Sequence, residues 1–151
     1  MQLLDNEKLH DIKKIYLTAS GGPFLNYSMS QLKKVKPIHA IKHPKWKMGK
    51  KISIDSATLM NKMLEIVEAN KLFLVDLKKI DIVIHPESLV HAIIELKNGL
   101  FKLIYHETTM LIPLANAIFD NKINISDIIK PKLNKKKLIF FKNLNFIDVD
   151  K

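Results

Sequence analysis

Between Ala57 and Phe73 the chain reads ATLMNKMLEIVEANKLF, a run of good helix formers without Gly or Pro. At about 100° per residue, Thr58, Asn61, Lys62 and Glu65 share one narrow face and Glu68 sits at its edge. The rest is mostly apolar, so a thin polar stripe runs between broad hydrophobic flanks, the pattern of a helix that lines a cleft. Ahead of it, Ile52 and Ile54 form a short β-like run, and Asp55 or Ser56 is placed to cap the helix. Compact apolar runs at Ile15–Leu17, Ile80–His85, Leu89–Leu96 and Leu100–Tyr105 predict strands, the last two joined as a hairpin by Lys97-Asn98-Gly99. Met29–Val35, opened by Ser28, and Leu111–Phe119, with Pro113 in its first turn, predict helices. Residues 1–14 read as a short polar helix or a frayed start, and Pro37–Ile41 as a turn.

Three irregular stretches carry candidate chemistry. Thr18-Ala19-Ser20-Gly21-Gly22-Pro23 places a hydroxyl at the lip of a bend whose backbone can approach a phosphate; the same residues also suit a plain turn. His43-Pro44-Lys45-Trp46-Lys47-Met48-Gly49 holds the one Trp on an aperiodic segment, suited either to a lid over a ligand or to plugging the core edge. His85 and His91 stand on strands, where single histidines are usually satisfied structural residues. Lys62 and Glu65, three apart, read on this helix alone as a solvated pair, since charged stripes usually face water, until other segments supply matching chemistry.

Composition narrows the classes. The 151 residues are 47% hydrophobic and 26% charged, enough for one core. No apolar run approaches the roughly 20 residues of a membrane span, and an N-terminus carrying Asp5 and Glu7 is not expected to be a secretory leader. There is no cysteine, which excludes disulfides, thiolate metal sites and cysteine nucleophiles. The net charge of +10 invites a nucleic-acid partner, but all 25 basic residues are lysine. Without arginine there is no bidentate reader of phosphate or base, and Lys, Asn and Ile together are what AT-rich coding produces.

Taken together, LTASGGPF (17–24), HPKWKMGKKISIDSATLMNK (43–62), LEIVEANKLF (64–73) and IHPESLVHAII (84–94) resemble 1-deoxy-D-xylulose 5-phosphate reductoisomerase in order and spacing. The likeness is clear over residues 15–120. It implies an enzyme of non-mevalonate isoprenoid biosynthesis that rearranges a ketose phosphate and reduces the product with NADPH and Mg²⁺ or Mn²⁺. By resemblance, Ser20, Ser56, Asn61 and Lys62 hold the substrate phosphate and nearby hydroxyls, with His43 on a closing flap. Glu65 is the metal carboxylate, and Lys62, His43 and Glu65 form the catalytic group. Trp46 covers the substrate, Ser88 and Met110 line its pocket, and Gly49 approaches the cofactor.

The resemblance also carries departures. No Gly-x-Gly-x-x-Gly occurs in the sequence, and an Asp-Ser-Glu metal motif has no counterpart. Met63 stands where the family has Gly, which would crowd the site, and Thr108-Thr109 replaces Pro-Asp before Met110. The expectation is therefore an α+β fold, a mixed β-sheet packed by helices. Residues 1–120 would form a catalytic/connective domain, and the Lys/Asn-rich residues 121–151 a linker toward a helical C-terminal domain that, like the NADPH domain, is absent. The chain is expected to be inactive alone. Its partners would be a sugar phosphate, a separately encoded N-terminal half and a second copy in a homodimer, with no nucleic acid and no membrane, in a bacterial cytoplasm or a plastid-like compartment. The rival expectation is a non-catalytic phosphate-binding or interaction remnant.

Overall fold

In the computed structural model, which describes residues 2–4, 7–41, 49–119 and 124, four strands form one mixed sheet in the order β2-β1-β3-β4. β1 (Ile12–Ala19) is central, parallel to β2 (Ile80–Ile84) and antiparallel to β3 (Val90–Leu96), which pairs antiparallel with β4 (Phe101–Tyr105). The pairings set Ile15 between Ile80 and Ile94, and Leu17 between Ile82 and Ala92. A parallel β1–β2 pair requires a long crossover. The intervening residues supply it with α1 (Met29–Leu32), α2 (Pro37–Ala40), α3 (Lys50–Ala57) and α4 (Met60–Phe73). The β3–β4 hairpin turns at Asn98-Gly99, and α5 (Leu111–Phe119) follows. The α+β mixed sheet is the fold that the family resemblance implied.

The core lies between the sheet and α4. Ile12, Ile15, Leu17, Ile80, Ala92, Ile94 and Leu96 meet Ala69 and Val75, with Ile66 and Phe73 packed against them. Ile66, Ala69 and Phe73 recur at helical spacing, so one apolar flank of α4 is buried. The other flank, including Met63, Leu64 and Val67, is exposed. Burying each large aliphatic side chain contributes about 1.5–3 kcal/mol, so this interface dominates the stability of the sheet.

Several local expectations are corrected. Ile52 and Ile54 lie in α3, because two alternating apolar residues are too short a signal to separate strand from helix. The helix is held by Ser53 Oγ on Gly49 O (3.0 Å) and by a Lys51–Asp55 pair one turn apart (2.6 Å). Asp55 and Ser56 therefore end one helix rather than open the next. Thr58 Oγ1 takes the Asp55 carbonyl at 3.1 Å, and Leu59 adopts a left-handed φ of 59°. Asn61 Nδ2 donates to Ile52 O at 3.1 Å and ties α4 to α3 across this corner. The first strand is longer than Ile15–Leu17, beginning at Ile12 after short 3₁₀ turns at Gln2–Leu4 and Leu9–Asp11, and Pro37–Ala40 is a short helix. α1 is shorter than expected but opens on Ser28, in a capping box with Gln31. Apart from Asn124, the 121–151 linker lies outside the described residues.

Candidate functional site

Strand directions gather the chemistry at one end of the sheet. β1 and β2 run parallel, so their C-terminal ends share an edge, and there the chain leaves regular pairing at Ser20 and at His85. In open sheets a ligand crevice forms outside such ends. β3 begins and β4 finishes at this same edge, and the N-terminal half of α4 borders it. The result is a cleft of about 960 Å³. Of the residues expected at a site, Ser20, Gly49, Ser56, Asn61, Lys62, Glu65, Ser88 and Met110 all line it. Thr58 does not, because the corner takes it off the polar stripe of α4. His43 and Trp46 lie outside the described residues. A smaller hollow of about 320 Å³, lined by Leu9, His10, Ile12, Leu74, Val75, Asp76 and Lys79, is remote from this convergence.

The Ser-Gly-Gly bend is built by close approach. Gly21 and Gly22 have φ of +84° and +68°, and a Cβ on Gly22 would lie 3.0 Å from Ser56 O and 3.3 Å from Ala57 Cα. Only a residue without Cβ lets the bend sit against the end of α3, bringing Ser20 and Ser56 to one wall. Gly22 N donates to Ser20 Oγ at 3.3 Å. Opposite, Lys62 Nζ pairs with Glu65 Oε2 at 2.8 Å, with the lysine side chain 15% exposed and the carboxylate 44%. Asn61 commits one amide hydrogen to Ile52, leaving its oxygen and second hydrogen for other partners. Glu68, one turn beyond Glu65, also borders the cleft.

The β2–β3 connection supplies the third wall. His85 N donates to Ala19 O (2.7 Å) and Ser88 N to His85 O (3.0 Å), pinning this turn to β1. Ser88 has a left-handed φ of 54°, and its Oγ is buried with no hydrogen-bond partner among the described residues. A buried hydroxyl without a partner costs about 1–3 kcal/mol, a cost that a polar ligand would remove.

Two lining histidines were not read as site residues: His91, taken as structural, and His106, not singled out at all. Their rings stack with centroids 3.7 Å apart. Burial pushes the pKa of His91 below its ordinary value, opposed by its bond to the His106 carbonyl; the positive fields of His106, His85 and Lys62 add to the lowering. His85, also held down by burial, faces Glu87 at 3.3 Å. The departures at 63 and 108–109 are benign in form. Met63 is exposed and does not line the cleft, and Thr109 Oγ1 accepts from Leu111 N at 3.2 Å to start α5.

A divalent ion takes about six oxygen ligands. Among the described residues no three His, Asp or Glu side chains converge to hold one. Glu65 and Glu68 both border the cleft, but with no third such side chain beside them the described residues fit part of a ligand set and not a complete site.

Comparison with known proteins agrees with this architecture. The family model described as the 1-deoxy-D-xylulose 5-phosphate reductoisomerase C-terminal domain matches residues 1–73. The 1-deoxy-D-xylulose 5-phosphate reductoisomerase of Pelagibacter ubique is 48% identical over 147 residues, covering 95% of this chain and 38% of its own length. That of Wolbachia sp. subsp. Drosophila simulans is 52% identical over 117 residues, covering 78% of this chain and 30% of its own. A crystal structure of DOX-P reductoisomerase in complex with NADPH, fosmidomycin and magnesium superposes with a TM-score of 0.79 at 39% identity, over 98% of this chain and 35% of that one. The Zymomonas mobilis enzyme in complex with NADPH gives 0.67 at 36% identity, over 75% and 28%. The chain thus spans about a third of these relatives, and it belongs to the 1-deoxy-D-xylulose 5-phosphate reductoisomerase family.

Proposed function

We propose that the cleft is the sugar-phosphate half of a reductoisomerase active site, which acts with NADPH and Mg²⁺ or Mn²⁺ on 1-deoxy-D-xylulose 5-phosphate. The observation that carries this reading is the meeting of the Ser-Gly-Gly bend, Ser56 and the Asn61–Lys62–Glu65 face in one cleft. A phosphate dianion needs a cation and several short donors, which Lys62, Asn61, Ser56, Ser20 and the backbone of the bend can provide. The buried Ser88 hydroxyl supplies a further donor for a sugar oxygen. The relatives' complexes with NADPH, magnesium and fosmidomycin support the same assignment of cofactors.

Lys62 and Glu65 change partners in this scheme. A partly exposed pair three residues apart contributes only about 0–1 kcal/mol, so it opens at small cost. Lys62 then neutralises phosphate charge, while Glu65 offers its carboxylate to the divalent ion. When bound, that ion supplies Lewis-acid polarisation of the substrate carbonyl. With no three such ligands together among the described residues, and with no Gly-x-Gly-x-x-Gly in the sequence, this chain is expected to fix neither ion nor hydride donor by itself. Residues 1–120 act as the catalytic/connective domain, 121–151 as a linker, and His43 and Trp46 as the flap over the substrate. Turnover requires the remaining carboxylates and a dinucleotide-binding half, whether in the same polypeptide or a separate one.

The test is NADPH oxidation with 1-deoxy-D-xylulose 5-phosphate and Mn²⁺. The 151-residue chain alone is expected to show no turnover, and adding the N-terminal half of the Pelagibacter ubique relative to restore it. Robust turnover by the chain alone, or failure of the added half to restore activity to a chain that binds substrate, overturns the scheme.

A further inference from the structure

His106 lies just past the end of β4 and His91 at the start of β3, and His106 N donates to Leu89 O at 3.1 Å, holding the two segments together. Both imidazoles line the cleft, with their planes 16° apart. His91 Nε2 is 3.1 Å from the carbonyl oxygen of His106. A carbonyl oxygen only accepts, so His91 must carry its hydrogen on Nε2, and in the neutral ring Nδ1 is the accepting nitrogen. The same argument places the hydrogen of His106 on Nδ1, which is 2.6 Å from Glu107 O.

We propose that His106 is a positioning residue for this cleft: its ring sets the plane of His91, and its carbonyl sets which His91 nitrogen carries the hydrogen. The chemistry served is presentation of the His91 ring to a polyol phosphate in the cleft, a consequence that rests on the reading of the cleft as the sugar-phosphate site. Two stacked imidazolium rings this close, with Lys62 nearby, would repel one another, so the pair is built to hold His91 neutral. The lowered pKa of His91, caused mainly by burial, agrees with that state.

The experiment uses the 151-residue chain labelled with ¹⁵N-histidine. Long-range ¹H–¹⁵N ring correlations are recorded at pH 7.5, with titration of 1-deoxy-D-xylulose 5-phosphate. Wild type should show His91 as a single Nε2–H tautomer. His106→Phe keeps the ring and the carbonyl, so it should keep that tautomer and bind the sugar phosphate within about twofold of wild type. His106→Ala loses the stack, so the His91 signals should broaden or split and binding should weaken about three- to tenfold. The proposal is overturned if His106→Ala leaves the His91 line width and the affinity unchanged, or if the wild type shows His91 as the Nδ1–H tautomer. It is equally overturned if His106→Phe falls as far as His106→Ala, because the stack would then not be the active element. If the wild type binds no sugar phosphate while His91 responds as described, the cleft reading fails and the positioning role stands.

Discussion

Gly22→Ala is the substitution whose cost the geometry sets most clearly. Two terms act. At φ +68° an L-residue with a Cβ is strained by about 1–2 kcal/mol relative to Gly. The new Cβ would also meet Ser56 O at 3.0 Å, a backbone atom at the end of α3 that cannot swing aside as a side chain can. Forcing atoms into such packed contacts costs about 1–3 kcal/mol. The sum is about 2–5 kcal/mol. Gly99 is the internal control: its φ is +86°, yet nothing lies within 4 Å of its Cβ position. Gly99→Ala should therefore show only the first term, about 1–2 kcal/mol. Urea unfolding of the two variants and the wild type, followed by circular dichroism, measures the difference at constant slope. Because the second term moves the bend away from Ser56, Gly22→Ala should also weaken 1-deoxy-D-xylulose 5-phosphate binding, whereas Gly99→Ala, on the β3–β4 turn, should not. Equal losses of stability with unchanged binding would refute the claim that close approach, rather than φ alone, builds this wall.

Four further outcomes follow from the packing and charges. Ile94 is 0% exposed in the centre of the core, so Ile94→Ala should cost about 2–5 kcal/mol in urea unfolding. Met63→Ala, on the exposed flank of α4, should stay within about 0.5 kcal/mol. His85 and His91 are both held below the ordinary histidine pKa of 6.5, chiefly by burial. The unfolded chain therefore binds more protons below that pH, and stability that is full above it falls as pH drops, by up to about 1.4 kcal/mol per pH unit per group. Melting curves between pH 7.5 and 5.5 should show this loss, and His91→Gln should flatten it. At the alkaline end, Tyr16 is pushed up to about 12 by burial and by its bond to Glu95, so stability should fall as pH rises past 10. Tyr16→Phe should remove that dependence.

The legible parts of this chain are those set by local pattern. Asn98-Gly99 between apolar runs marked the β3–β4 hairpin, and the run of helix formers with broad apolar flanks marked α4, whose Ile66, Ala69 and Phe73 flank the structure buries. What escaped was either too short a local signal or set by contacts distant in sequence. Ile52 and Ile54 alternate as a strand would, but a Gly49 carbonyl and a Lys51–Asp55 pair hold them in a helix. Leu59 and Ser88 take left-handed φ, which local propensity discourages for both and tertiary context imposes. The His91–His106 stack exists only because β3 and β4 pair in register and the chain past Tyr105 turns back onto Leu89. No spacing rule within either segment signals it.

The central claim is that one cleft grips a sugar phosphate through Lys62 and the Ser-Gly-Gly bend. The most direct measurement is titration of the ¹⁵N-labelled chain, with and without Mg²⁺, by 1-deoxy-D-xylulose 5-phosphate, comparing wild type with Lys62→Met. Shifts should cluster at Gly21, Gly22, Ser56, Asn61, Lys62 and Ser88. Loss of the charge-assisted bonds in Lys62→Met should weaken binding about 10- to 100-fold. Shifts that cluster elsewhere on the sheet, or a Lys62→Met chain that binds as tightly as wild type, would contradict it.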